Sequence, residues 1–234
     1  MTSPLTIIPI TGIGRVVKGD DGARLIADAL DADGLSLLNG DVLVVTHKIV
    51  SKAEGMVVEI LDEAAYRDLV ASEAAAIIRR RGDLVITQTR HGFICANAGV
   101  DRSNTEHGTA VLLPKDPDRS AHRIRGGLNR ITGIDVAVII SDTFGRPWRR
   151  GLTDVAIGLS GLDPILDLKG TTDMYGRMLD VTEIAVADEL AAAADLVMGK
   201  AEGVPAAIVR GFVGPRGEGR ASDLVRPAEE DLFR

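Results

Sequence analysis

The sequence predicts a mixed α/β protein, and three observations support that fold class. Short runs of Val and Ile are bounded by polar residues, amphipathic segments of helical length lie between them, and turn residues separate the two kinds of segment. The clearest run, residues 138–140 (VII), is typical of a strand buried on both faces of a sheet. The 234 residues suffice for one large or two small domains, and no clean linker divides them.

Further strands are predicted where apolar runs of three to six residues meet turn signals. The segment around Arg90-His91-Gly92 indicates a hairpin, because an apolar run lies on either side of it. The further predicted strands are residues 5–10, 42–45, 84–88, 93–97, 111–113 and 206–209.

Four helices are predicted from amphipathic or Ala-rich segments. Gly19-Asp20-Asp21 caps the first, and Gly199 follows the last. The second ends in Arg79-Arg80-Arg81, whose charges complement the negative C-terminal end of a helix dipole. The predicted helices are residues 23–30, 62–81, 118–133 and 181–198, and residues 227–234 form a further amphipathic segment.

Composition excludes several classes of protein. The formal net charge of −7 argues against a general nucleic-acid surface. No apolar run approaches the roughly 18 residues needed to span a bilayer, and the N-terminus lacks a basic region, so we expect a cytoplasmic protein without a membrane partner. The single cysteine, Cys95, has apolar neighbours and is expected in the core. Without an HExxH or CxxC pattern, a zinc site is not expected.

The segment 138–151 (VIISDTFGRPWRRG) carries the strongest chemical signal. Asp142 and Thr143 are expected where the strand ends, and Gly145 allows the chain to turn so that Arg146 comes back over the site. Carboxylate and hydroxyl oxygens suit Mg²⁺ or Mn²⁺, and guanidinium groups suit phosphate. The structural alternative is a turn with an Asp cap and a solvated basic face.

Two other segments carry candidate ligand-binding residues. In residues 46–55, Lys48 and Lys52 are four residues apart, so a helix there would present both to a polyphosphate. In the loop GVDRSN, Asp101 could join Asp142 at a metal while Asn104 binds a nucleotide. A solvated basic turn and ordinary turn preferences are the respective alternatives. No G-x-x-x-x-G-K-[ST] is present, so a P-loop is excluded.

Several motifs occur together in one order: PITGIG, GDVLVVTHKIVSKAEG, AGVDRSN, SDTFGRPWRRG, DMYGR and VADELAAAADLVMGK. The set resembles the coenzyme F420-0:γ-glutamyl ligase family, GTP-dependent enzymes that add glutamate to the phospholactyl tail of a deazaflavin cofactor. No single motif is specific, but the ordered set covers essentially the whole chain.

The resemblance implies a set of site residues. Asp101 and Asp142 would bind one divalent metal and Thr143 a second. The family carries a small polar residue where this chain has His47, and a metal-binding polar residue in the 198–203 loop, where the cation Lys200 could not serve. The implied contacts of the guanine nucleotide are Ile13, Gly14, Arg15, Val16, His47, Lys48, Lys52, Asn104, Met198, Gly199 and Lys200.

The implied chemistry is amide synthesis through an acyl phosphate. GTP would be the co-substrate, Mg²⁺ or Mn²⁺ would fill two sites, K⁺ is a further candidate cation, and the other substrates are F420-0 and L-glutamate. Lys52, Asp142 and Arg146 are the expected catalytic residues. From charge and position, Arg146, Arg149 and Arg177 are our candidates for contacting the phosphodiester and carboxylates of the substrate.

The resemblance also implies a two-lobed α/β fold, an intertwined homodimer and an active site between the lobes. Residues 1–234 would form the ligase domain, and the ending RPAEEDLFR resembles the junction to the flavin-binding reductase domain of actinobacterial relatives. Two other functions fit the residues alone: a nucleotide-binding regulatory module without turnover, and a metal-dependent phosphohydrolase.

Overall fold

The computed structural model describes residues 4–232 and has a mixed α/β architecture. A five-stranded sheet in the order β1-β12-β2-β8-β9 dominates it, and three small sheets pair β3 with β7, β4 with β5 and β6, and β10 with β11. The strands are β1 (Thr6–Ile10), β2 (Val42–Thr46), β3 (Val57–Glu59), β4 (Ala74–Arg81), β5 (Leu84–Thr89), β6 (Ile94–Ala96), β7 (Thr109–Val111), β8 (Ala137–Gly145), β9 (Leu152–Ser160), β10 (Leu166–Asp167), β11 (Glu183–Ile184) and β12 (Ala206–Arg210).

The helices begin at well-defined caps. Asp21 accepts hydrogen bonds from two backbone N–H groups at the start of the first helix, and Asp62 and Asp116 cap the third and fourth in the same way. Gly133 ends the fourth helix in the left-handed conformation. The helices are α1 (Gly22–Ala32), α2 (His47–Ala53), α3 (Glu63–Glu73), α4 (Pro117–Thr132) and α5 (Val186–Met198).

The centre of the large sheet is fully apolar. Val42 to Val45 of β2 and Val138 to Ile140 of β8 have no exposed surface, as expected for strands covered on both faces. β2 and β8 run parallel, and the other pairs in this sheet are antiparallel. A bulge interrupts the β8–β9 ladder, because Ile140 pairs with Gly158 and Ser141 with Ala156, which leaves Ile157 as an extra residue.

A second, smaller hydrophobic cluster lies apart from the main core. It contains Tyr66 and Val70 of α3 together with Val100, Ala110 and Leu112. The loop that carries Asp101 leaves this cluster, while β8 belongs to the main core. The two clusters therefore supply different parts of the candidate site.

Most of the predicted elements are confirmed, and two predictions were wrong. Residues 62–81 are not one helix: α3 ends at Glu73 and β4 follows directly, so Arg79 lies on an exposed strand. The apolar residues of that segment suit a strand paired with β5 as well as a helix, and the Ala-rich composition concealed the change. The last predicted helix begins at Val186 rather than at residue 181.

The second wrong prediction concerns the end of the central strand. β8 continues through Asp142 and Thr143 to Gly145 and pairs with β9 along its whole length, so neither residue lies after the strand. Within the predicted segment 227–234 the structure has only a 3₁₀ turn at Ala228–Glu230, and its last two residues lie outside the described range. Within residues 4–232, no helix is both long and apolar enough to cross a bilayer.

Candidate active site

The buried part of the site lies where β2 and β8 run side by side. Thr46 pairs with Ser141, so the residues that follow each of them, His47 and Asp142, come together at the same edge. His47 is fully buried, and its Nε2 lies 3.3 Å from Asp142 Oδ1. The geometry is not that of a hydrogen bond, and within residues 4–232 this Nε2 has no hydrogen-bond partner. On the other side of the ring, Nδ1 lies 3.4 Å from Ser51 Oγ.

Asp142 is an ionised carboxylate in a nearly dry environment. Burial acts to raise its pKa, but His47 and Lys48 outweigh this effect and hold the pKa below its ordinary value. The same carboxylate, together with burial, raises the pKa of the Cys95 thiol to about 12. Cys95 is therefore a buried, protonated neighbour of the site, as its apolar sequence context predicted.

The second carboxylate, Asp101, comes from the loop beside the smaller cluster. The backbone of Asp101 bridges to Val111, and its side chain accepts hydrogen bonds from the N–H of Ser103 (2.6 Å) and the hydroxyl of Ser103 (2.9 Å). Lys48 Nζ lies 2.8 Å from Asp101 Oδ2. Burial acts to raise the pKa of Asp101, but Lys48 and Ser103 lower it below its ordinary value.

Lys48 connects the two carboxylates. It pairs directly with Asp101, and its charge also lowers the pKa of Asp142. Among residues 4–232, no three His, Cys, Asp or Glu side chains are grouped as a metal cluster. Two ionised carboxylates still suit Mg²⁺, which commonly takes one or two carboxylates and completes its shell with water and phosphate oxygens.

A cleft of about 620 Å³ lies beside the loop of Asp101, since Val111, the bridge partner of Asp101, lines it. Lys52, Arg15 and Asn104 line it, and Glu106 pairs with Arg15 at its rim. Lys52 Nζ donates to the carbonyl of Asn104 at 2.8 Å, which fixes the loop to α2. Residues 47–53 form the helix α2, so Lys48 and Lys52 lie one turn apart on the same face, as their spacing of four residues predicted.

The cleft has a positive electrostatic field. The pKa of Lys52 is lowered by burial, by Lys48 and by Arg15. Cations that repel one another in this way attract a polyanion, because its negative charge relieves the repulsion. Asn104 Nδ2 also donates to the carbonyl of Lys200 at 3.0 Å, so the 198–203 loop contacts the Asn104 side of the cleft.

One residue of the site was missed by sequence reasoning. Asp154 of β9 is 4% exposed and accepts hydrogen bonds from Ser141 Oγ at 2.7 Å and from Thr143 Oγ1 at 2.6 Å. Thr143 thus points away from the partners of Asp142, as alternate residues of a strand do. The signal was present, since an Asp in an otherwise apolar run requires a partner, but the prediction did not treat residues 154–161 as a strand.

Other predicted site residues lie away from these contacts. Arg146 and Arg149 are exposed in the turn between β8 and β9, where Arg146 donates to the carbonyl of Arg150. Arg177 is exposed in a separate loop, and its backbone N–H donates to Asp173. The side chain of Met198 lies in the main core, as does that of Ile13, so only their backbone could approach a ligand. Gly14, Gly199 and Lys200 are exposed, and Val16 lines the cleft.

Comparison with known proteins identifies the family of the chain. Residues 12–211 match the family model described as F420-0:Gamma-glutamyl ligase. The coenzyme F420:L-glutamate ligase of Methanothermobacter thermautotrophicus is 48% identical over 98% of this chain and 99% of its own length. The enzyme of the same name from Methanopyrus kandleri is 42% identical over 98% of both chains, and that from Methanocaldococcus jannaschii is 44% identical over 84% and 85%.

These matches, together with the fold and its site of carboxylates and lysines, define the class of protein. The chain is a ligase, an enzyme that forms amide bonds. It belongs to the F420-0:γ-glutamyl ligase family, as the order of its motifs indicated. The matches do not favour a regulatory module without turnover.

Proposed function

We propose that this chain ligates L-glutamate to the phospholactyl tail of the deazaflavin coenzyme F420-0, uses GTP to do so, and then extends a γ-linked glutamate tail. The similarity to named F420:L-glutamate ligases over nearly the full length of both chains carries the proposal. The geometry supports the same conclusion, because a cleft lined by Lys and Arg side chains lies beside the Asp101 loop, and Lys48 links Asp101 with Asp142.

The cleft lined by Lys52 and Arg15 is the proposed site of the triphosphate. Without a P-loop, the charges of Lys48, Lys52 and Arg15 have to hold the phosphates, and their mutual repulsion in the free protein favours a bound polyanion. Asn104 is held between Lys52 and Lys200, which positions the loop that would contact the nucleotide.

Asp101 and Asp142 are the proposed ligands of a divalent cation, Mg²⁺ or Mn²⁺. Their lowered pKa values keep both ionised near neutral pH, which is the form that binds a hard cation. Such an ion would neutralise charge on the phosphates. Lys48 has to release Asp101 when the ion binds, and it is then free to contact a phosphate. Thr143 and the carboxylate behind it, Asp154, are the proposed surroundings of a second cation, for which K⁺ is a further candidate.

The proposed reaction has two steps. A carboxylate oxygen of the acceptor attacks the γ-phosphorus of GTP, a new P–O bond forms, the bond to the β-phosphate oxygen breaks, and GDP leaves. The glutamate amine then attacks the acyl carbon, phosphate leaves and the amine loses a proton. Positioning and charge neutralisation supply most of the catalysis in such transfers, and Lys52 is placed to provide both.

The direct test is incubation of the full chain with F420-0, L-glutamate, GTP and Mn²⁺, followed by mass spectrometry. We expect a mass increase of one or more glutamyl residues together with GDP formation. Release of phosphate from GTP without glutamate would indicate a phosphohydrolase instead. No glutamylation of an acceptor that a known ligase does extend would refute the proposal.

We further propose that the chain works as an intertwined homodimer of two-lobed subunits. The existence of two separate hydrophobic clusters supports two lobes. Sedimentation equilibrium tests the assembly: we expect the mass of two chains, and the mass of one chain across the micromolar range would contradict it.

A further inference from the structure

A second large cavity lies outside the cleft described above. It runs between α1, α2 and α4 and has a volume of about 910 Å³, within the range of small-molecule sites. We call it the helical groove. Its walls include Leu25 of α1, Ile49 of α2, and Arg119 and Arg130 of α4, so it combines apolar and cationic surface.

The carboxylates of the helical groove are already occupied. Asp21 and Asp116 cap α1 and α4 by accepting backbone N–H groups, and Asp20 accepts the N–H of Val17 at 2.8 Å. Glu54 is paired with Arg123. These four carboxylates keep their charge, and five Lys and Arg side chains line the groove beside them.

Four of the five Lys and Arg side chains that line the groove form no ion pair with a residue that the structure describes. Within residues 4–232, no ion pair includes Lys18, Lys115, Arg119 or Arg130, although all four line the helical groove. The chain as a whole carries a net charge of −7, whereas the groove has one more cation than carboxylates. The unpaired Lys and Arg side chains can contact an anionic group of a ligand.

The helical groove joins the nucleotide cleft at Lys18 and Gly55, which line both cavities. The stem of Lys18 crosses directly over Gly55, where a Cβ would lie 2.7 Å from Lys18 Cδ. Glycine is required here also because its φ is +74°. Lys18 therefore lies between the two cavities, so an anionic group in the helical groove would lie close to a phosphate in the nucleotide cleft.

We propose that the helical groove binds the acceptor, a ligand with a planar apolar ring and an anionic tail. The ring would lie on the apolar wall of Leu25 and Ile49, and the cations of α4 would hold the phosphodiester and carboxylates of the tail. Lys18 would direct the terminal carboxylate toward the γ-phosphate. This inference rests on the proposed function, and it replaces Arg146 and Arg177 as the principal contacts of the acceptor tail.

The test compares Arg119→Ala/Arg130→Ala with a control, Arg79→Ala/Arg81→Ala, which removes the same charge from the exposed strand β4. We expect the KM for F420-0 to rise about tenfold in the first variant, since two surface charge contacts are each worth up to about 1 kcal/mol. The KM for GTP and kcat should stay within about twofold of the wild type in both. Fluorescence titration with F420-0 in the absence of GTP should show the same loss of affinity.

The result is distinguishable from a failure of the proposed function. If the wild type does not glutamylate F420-0, the proposed function fails, and the titration alone decides about the groove. If the wild type is active but both double variants bind F420-0 equally well, the inference is overturned. It is also overturned if Arg146→Ala/Arg177→Ala carries the whole effect on KM, or if Arg119→Ala/Arg130→Ala changes the oligomeric state rather than affinity.

Discussion

The two carboxylates of the site are held in contrasting ways. The His47–Asp142 pair is enclosed, with side chains 0% and 10% exposed, and it sits on the central strands of the large sheet. The Lys48–Asp101 pair is 13% and 28% exposed, and Asp101 lies on a loop held by Ser103 and Val111. One half of the site is fixed by the main core, and the other depends on a few hydrogen bonds near solvent.

This difference separates preorganisation from adaptability. Asp142 keeps its position without a ligand because strand pairing and burial fix it. Asp101 has to exchange Lys48 for a cation, and a loop beside solvent makes that exchange easier. Four predictions test whether the two halves differ in this way.

The largest expected effect concerns catalysis. Asp142→Asn and Asp101→Asn should each lower kcat/KM by about 10²- to 10³-fold, since each removes several kcal/mol of charge stabilisation. The measurement is the rate of GDP release with saturating glutamate. Asp68→Asn, an exposed residue of α3, is the matched control and should keep full activity. Full activity of both site variants would show that the two carboxylates do not form one site.

The next effect concerns the free energy of unfolding, which should fall by different amounts when each half of the site is disrupted. His47→Ala should lower the free energy of unfolding by about 3 kcal/mol or more, because it leaves the buried Asp142 carboxylate with the N–H of Thr143 but without its His47 neighbour. Lys48→Ala breaks the more exposed pair with Asp101 and should cost less, because Asp101 is nearer solvent and keeps its hydrogen bonds from Ser103. Urea unfolding measures both. Equal losses would contradict the distinction between an enclosed and a solvent-facing half.

A smaller effect is expected on nucleotide affinity. Lys52→Met preserves much of the stem of the side chain and removes its charge, so the KM for GTP should rise about tenfold, the result of losing about 1.4 kcal/mol. Isothermal titration with GDP and Mg²⁺ should show the same change. If the KM for glutamate rises instead, Lys52 faces a different substrate.

The smallest effect is a pH dependence of stability. The pKa of Lys52 is lowered in the folded protein, so just below its ordinary value of 10.5 the unfolded chain binds more protons than the folded one. The contribution of Lys52 to stability should therefore rise as the pH increases through that window. The difference in urea midpoint between the wild type and Lys52→Met, measured at pH 8 and pH 10, should shift in favour of the wild type at pH 10. A difference that does not change with pH would contradict the assignment.

The sequence predicted most of the fold because its strongest patterns are local. Residues 42–45 of β2 and 138–140 of β8 are unbroken runs of Val, Leu and Ile, and α4 has an Asp before it and Gly133 after it. The change from α3 to β4 was not predictable in this way, because residues 74–81 satisfy either structure and only pairing with β5 decides between them.

The candidate site was predictable in its composition but not in its contacts. The order of motifs selected Asp101, Asp142, Lys48 and Lys52, and the structure brings them together. Nothing local could reveal that His47 would face Asp142, since that depends on the parallel pairing of β2 with β8. Asp154 was missed for the same reason, because its two hydroxyl partners lie on another strand.

The extra residue at Ile157 has a lasting consequence for how this chain tolerates change. Were the ladder to continue regularly from Ile140 with Ile157 paired to Ser141, Asp154 would shift by one place and lie opposite Phe144 instead of Thr143. The Asp154 carboxylate would then lie beside the Phe144 ring, and the hydroxyls of Ser141 and Thr143 would lose their hydrogen-bond acceptor. Insertions that change the register of this hairpin should therefore be tolerated at its tip, residues 146–151, and not within the paired strands β8 and β9.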